Sequence, residues 1–135
     1  MGRIMALFQL NRWPVAVLLG LIVVFFAGAG ETVVEPETQL GLEKIAAGAL
    51  VVDVRASAEF NAGHFEGAIN IPHDQLAARL NELGAELDQP IVTYCRSGRR
   101  AGIAVQILHE NGYSDVTNGG GLQALLKQAA VPSSP

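Results

Sequence analysis

The chain of 135 residues is half hydrophobic with a formal charge of −4, enough apolar material for one buried core and too short for several domains. No acidic residue precedes Glu31, and from there on 13 acidic residues stand against 7 basic ones, a net of −6. Three of those seven bases are Arg96, Arg99 and Arg100, so the sequence excludes the broad basic face that nucleic acid requires and gathers its positive charge at one place.

Arg3 and Arg12 are followed by an uncharged apolar run from Val15 to Gly30, and residues 1–30 read as a targeting segment. Ala27-Gly28-Ala29 fits a signal-peptidase site, while Trp13 and Pro14 extend the run toward the ~20 residues of a membrane span. A cleaved signal peptide and a retained N-terminal anchor both stay open. Either engages the membrane or the export machinery, and either places the rest of the chain in the periplasm or another extracytoplasmic space. Residues 31–37 read as a polar linker, where Thr32-Val33-Val34 offers a short edge strand.

Leu42, Ile45 and Ala46 have helical spacing, and Gly48 is placed to stop that helix. Ala49 to Val54, interrupted only by Asp53, predicts a strand buried on both faces. A short helix is predicted over Ala56 to Asn61, then a strand over Ala68 to Ile71 that Pro72 ends. Leu76, Leu80 and Leu83 lie at i, i+4 and i+7 and predict an amphipathic helix with Asp74 at its start. Ile91 to Tyr94 predicts the next strand, and Ala101 to Asn111 a well-buried helix with Gly112 as its stop. Val116 marks a last short strand, Asn118-Gly119-Gly120-Gly121 a chain turn, Leu122 to Lys127 a final helix, and 129–135 a disordered tail. Strands alternating with helices argue for an α/β fold with a parallel sheet covered on both faces. His64, His73 and His109 are scattered, so no metal cluster is expected, and no cofactor.

Between strand and helix stands Cys95-Arg96-Ser97-Gly98-Arg99-Arg100, with the only cysteine of the chain. A thiol at a helix N-terminus meets converging backbone N–H groups and a positive dipole, which favour the thiolate and can bind an anion. In an exported chain a single thiol has no internal disulfide partner, so it is either intermolecular or reactive.

In this order the pieces resemble a single-domain rhodanese, of the short exported thiosulfate sulfurtransferase kind, over residues 38–128. They are Val52-Asp53-Val54-Arg55, Glu59-Phe60, Gly63-His64-Phe65-Glu66-Gly67-Ala68-Ile69-Asn70-Ile71-Pro72, the cysteine loop, and Gly112-Tyr113 with the glycine run. The resemblance implies a five-stranded parallel sheet with helices on both faces and a six-residue active-site loop. It also implies sulfur transfer from a small anionic donor such as thiosulfate to a thiophilic acceptor, cyanide or a thiol, through a Cys95 persulfide. Backbone N–H groups of Arg96, Ser97, Gly98, Arg99 and Arg100 are expected to cradle the sulfur. The Arg96 and Arg99 side chains suit the donor's oxyanion, while Arg100, at the loop's end, is placed to tie the loop to a carboxylate. Asp53, Arg55 and Glu59 are expected near the site as a supporting ion-pair network, with His64 structural.

Two other readings remain. A persulfide carrier for a protein partner shares the first half-reaction with the enzyme. A Cys-based phosphatase spaces its Cys and Arg by five residues, which falls here on Ala101 and leaves the loop one residue short. Nothing in the sequence requires an obligate dimer, and a monomer is expected.

Overall fold

Residues 35–130 are described by the computed structural model. Residues 1–30, expected to be a targeting segment, Thr32-Val33-Val34, expected as an edge strand, and the expected tail from Val131 lie outside the described residues. Helix α1 spans Pro36–Ala46, so it begins inside the expected linker. The reason is Pro36 itself, which sits in the first turn, where its missing N–H costs nothing and its fixed φ suits a helix.

Strands β1 (Leu50–Asp53), β2 (Ile69–Asn70), β3 (Ile91–Cys95) and β4 (Val116–Gly121) form one parallel sheet in the order β2-β1-β3-β4. Among the described residues the sheet has four strands rather than the expected five. Helices α2 (Ser57–Asn61), α3 (Arg99–Glu110) and α4 (Leu122–Ala129) complete the layers. The last helix reaches Ala129, the first residue of the expected tail.

Both faces of the sheet are covered, as a parallel sheet requires. On one face Val52, Val54, Ile71, Leu76, Leu83, Ile91 and Cys95 pack with Ala101, Ala104 and Leu108 of α3. On the other, Val51 and Tyr94 pack with Leu122 and Leu125 of α4 and with Leu42 and Ile45 of α1. Every residue of β3 is buried, and successive side chains alternate between the two clusters, so Tyr94 and Cys95 point to opposite sides.

The segment expected as one amphipathic helix forms two short 3₁₀ turns, Leu76–Ala78 and Leu80–Leu83. The break falls at Arg79 (φ −122°), and Gly84 (φ 93°) stops the second turn. Leu76 and Leu83 still reach the core, so the apolar spacing is used while the stretch is too short to sustain a longer helix. The Arg79 side chain closes the break locally, donating to Gln75 Oε1 at 2.9 Å and Glu82 Oε1 at 2.9 Å. Helix α3 is buried through Ala101, Ala104 and Leu108 but leaves Ile103 exposed, so it is amphipathic rather than well buried throughout.

The glycine run is likewise a strand and not a turn, with an irregularity in its pairing between Thr93 and Cys95. Its lack of side chains sets how near β4 comes to its neighbours. A Cβ on Gly119 would stand 2.9 Å from Val92 Cγ1 and 3.2 Å from Thr93 O. Gly119→Ala is therefore expected to lower stability by about 1–3 kcal/mol, the usual cost of overpacking. Denaturant unfolding monitored by circular dichroism checks this, and an unchanged midpoint would contradict the close packing described.

Candidate active site

Strand β3 ends at Cys95, and the chain winds directly into α3. Gly98 makes that winding possible with φ 92°, a left-handed conformation that glycine adopts without strain. A Cβ there would also approach Gly120 Cα at 3.2 Å. The turn folds the backbone over the thiol: Cys95 Sγ accepts the N–H of Gly98 at 3.0 Å. Cys95 is only 1 % exposed. Burial pushes its pKa up, but the backbone N–H groups of Ala101, Ser97, Gly98 and Arg100 act against burial and hold it, on balance, below the ordinary thiol value. Thiolate is thus favoured with no histidine or carboxylate hydrogen-bonded to the sulfur among the described residues.

Arg100 ends the loop. Its guanidinium donates to Glu59 Oε2 at 2.7 Å and Oε1 at 2.9 Å, a two-pronged pair. Glu59 Oε2 also accepts the Ala56 N–H at 3.1 Å, which fixes the carboxylate on the first turn of α2. Arg100 brings the Glu59 carboxyl down to about 2, and Glu59 in turn raises Arg100. Arg100 also lies close enough to Cys95 that a thiolate there raises it further. The Arg96 and Arg99 side chains differ: both residues are exposed, and neither is ion-paired among the described residues.

Asp53 and Arg55 belong to another cluster. Arg55 Nε donates to Asp53 Oδ1 at 2.9 Å and its Nη2 to Asp53 Oδ2 at 2.6 Å and to Gly63 O at 2.7 Å. Tyr94 Oη donates to Asp53 Oδ2 at 2.8 Å and accepts the Phe65 N–H at 2.9 Å. This buried pair is satisfied on every side, as a buried ion pair must be. Asp53 holds Arg55 raised, and burial pushes the Tyr94 phenol up. Through Tyr94 the cluster sits on the sheet face opposite Cys95.

The arrangement of a thiolate-stabilising loop between a central parallel strand and the next helix can be set beside known proteins. A family profile described as Rhodanese-like domain matches residues 38–127, most of the chain. The chain belongs to the rhodanese-like family. It is 40 % identical over 88 residues to the uncharacterized protein YqhL of Bacillus subtilis, covering 65 % of each chain. It is 38 % identical over 81 residues to the thiosulfate sulfurtransferase PspE of Escherichia coli, covering 60 % of this chain and 74 % of PspE. Against YqhL, then, it spans just under two thirds of the relative's length. A solved rhodanese with anions from E. coli matches with a TM-score of 0.54 and 36 % identity, over 56 % of this chain and 89 % of that one.

Within this rhodanese domain, Ser97, Gly98 and Arg100 come together around the Cys95 sulfur, Glu59 holds Arg100, and Arg96 and Arg99 are exposed. Asp53 and Arg55 do not join them. They clamp the segment after β1 instead, and the His64 ring stacks on Phe60 at 3.7 Å between centroids. Two residues that shape the loop carried no signal of their own. Asn118 Nδ2 donates to Gly98 O at 3.0 Å while its Oδ1 accepts the Gly120 N–H at 2.9 Å, so β4 holds the loop from the side. A Cβ on Gly121 would meet Arg96 O at 2.5 Å. The asparagine followed by three glycines was the available cue, and it reads equally well as a turn.

The Arg100–Glu59 pair has a pH signature. The Glu59 pKa is depressed on folding, so its contribution is complete above the ordinary carboxyl value of about 4.5 and is lost as pH falls toward about 2. Both side chains are close to a third exposed, 28 % and 33 %, so solvent screening holds the contribution to roughly 1 kcal/mol. Glu59→Gln should cost about that much at neutral pH and progressively less toward pH 2. Unfolding of both proteins across this range checks it, and a difference independent of pH would contradict the pairing.

Proposed function

We propose that this rhodanese-like chain is a sulfurtransferase that moves sulfane sulfur from thiosulfate to cyanide or a thiol through a persulfide on Cys95. The observation that carries the reading is a buried thiol whose pKa backbone N–H groups hold down, with Arg100 close by and no histidine or carboxylate hydrogen-bonded to the sulfur among the described residues. Such a site stabilises a sulfur anion and is poorly equipped to activate water, so a bound sulfur waits for an acceptor. The Cys95 thiolate attacks the outer sulfur of thiosulfate, the S–S bond breaks, and sulfite leaves with the electron pair. The acceptor's nucleophile then takes the outer sulfur and returns the thiolate. Arg96 and Arg99, exposed and unpaired among the described residues, are suited to meet the donor's oxygens. Kinship with PspE, itself a thiosulfate sulfurtransferase, supports the same donor class.

The phosphatase alternative fares worse on this loop. Its arginine position falls on Ala101, which is buried, and the nearest guanidinium, that of Arg100, is engaged by Glu59.

Incubation with thiosulfate alone should add one sulfur atom to the protein, seen by intact-mass spectrometry, and cyanide should then remove it as thiocyanate. Cys95→Ser should do neither, since a hydroxyl is a far weaker nucleophile at neutral pH. Arg96→Ala and Arg99→Ala should load poorly from thiosulfate, roughly tenfold for the loss of one charged contact, yet alkylate normally with a neutral reagent. Loading that persists without Cys95 would sink the mechanism. Loading that cyanide cannot discharge would favour the persulfide-carrier reading.

A further inference from the structure

A cleft of about 190 Å³ opens beside the loop, lined by Ala56, Ser57, Pro72, His73, Asp74, Gln75 and Arg100. It lies at the carboxyl ends of the strands, where open α/β sheets bind ligands. Its far wall is pinned in place: the His73 N–H donates to Val54 O at 3.0 Å, and the Gln75 N–H to Pro72 O at 2.9 Å. Its near wall is Arg100, whose backbone N–H helps hold the Cys95 sulfur. The volume is below the ~300 Å³ of a pocket for a drug-sized ligand and amounts to about six waters' worth of liquid, so it suits a very small molecule.

The charges of the cleft are unequal. Arg100 is neutralised by Glu59 at 2.7 and 2.9 Å. Gln75 Oε1 is taken up by Arg79 at 2.9 Å. Ser57, His73 and Asp74 have no side-chain partner among the described residues, and Asp74 is thus the one uncompensated charge lining the cleft. The exposed Arg96 and Arg99 provide the opposite sign elsewhere on the loop.

We infer that this cleft is the acceptor subsite and takes a small aminothiol, with the ammonium on the Asp74 carboxylate and the sulfur directed past Arg100 to Cys95. The inference rests on the sulfurtransferase reading. The acceptor thiol loses its proton to solvent. Its thiolate attacks the outer sulfur of the Cys95 persulfide, the bond from that sulfur to Sγ breaks, and the electron pair returns to Sγ. The acceptor leaves as its own persulfide, and no external oxidant or reductant is consumed. A cationic acceptor and an anionic donor are in this way addressed by charges of opposite sign.

The test is single-turnover discharge of the thiosulfate-loaded protein by cysteamine and by 2-mercaptoethanol, compared at equal thiolate concentration. These differ in an ammonium against a hydroxyl. The loaded native protein should discharge to cysteamine roughly two- to fivefold faster, relative to 2-mercaptoethanol, than the Asp74→Asn protein does at subsaturating acceptor, as an exposed ion pair provides. Asp74→Glu should retain part of that excess. Because the readout is a ratio, a general disturbance of the loop cancels. A cysteamine-to-mercaptoethanol rate ratio that is the same in the native and Asp74→Asn proteins would overturn the subsite while leaving sulfur transfer standing. Absence of any loading by thiosulfate would overturn both.

Discussion

The structure turns on the balance, at one buried thiol, between burial and the backbone donors around it. Burial alone opposes charge on Cys95, and the fold answers with backbone N–H groups of Ser97, Gly98, Arg100 and Ala101. Those groups converge only because Gly98 takes a left-handed turn between β3 and α3. Thr93 Oγ1 donates to Ala101 O at 3.1 Å from below, and Asn118 holds Gly98 from the side. The glycines of β4 leave room for the loop to sit that close, since a side chain at Gly121 would strike Arg96 O. Sheet, loop and helix are therefore parts of one electrostatic device, in which the donors are fixed before any substrate arrives.

Charged side chains divide the labour by position. The Asp53–Arg55–Tyr94 cluster is buried and closed on itself, and it secures the chain from Gly63 to Phe65 against the sheet. Arg100 ties the end of the loop to α2 through Glu59. Arg96 and Arg99 are left over, solvent-facing and without ion-pair partners among the described residues, in a domain that is otherwise acidic. That asymmetry gathers positive potential at the loop against an acidic background.

Much of this was legible in the residues. The continuous apolar runs before Asp53 and Cys95 gave the central strands, and the rhodanese-like order of motifs gave the parallel sheet with helices on both faces. What escaped was set by tertiary contact rather than local pattern. Leu76, Leu80 and Leu83 have helical spacing, but the backbone breaks at Arg79, and spacing alone cannot distinguish an α-helix from two 3₁₀ turns. The run from Asn118 to Gly121 has the composition of a turn, yet it is a strand, because β3 and the cysteine loop approach too closely for side chains. Position at the loop's end suggested a carboxylate for Arg100. That it is Glu59, forty-one residues away, follows only from the way α2 packs beside the loop.

The claim on which the account rests is that backbone donors outweigh burial at Cys95. Titration of the thiolate by its ultraviolet absorbance tests it directly, because the chain has one cysteine and subtraction of the Cys95→Ser protein removes the tyrosine contribution. The same chain unfolded in urea supplies the reference, expected near the ordinary thiol value of about 8.5. A folded midpoint below that reference is the predicted result. A folded midpoint at or above it would mean that burial prevails, and the loop would then be no cradle for a sulfur anion.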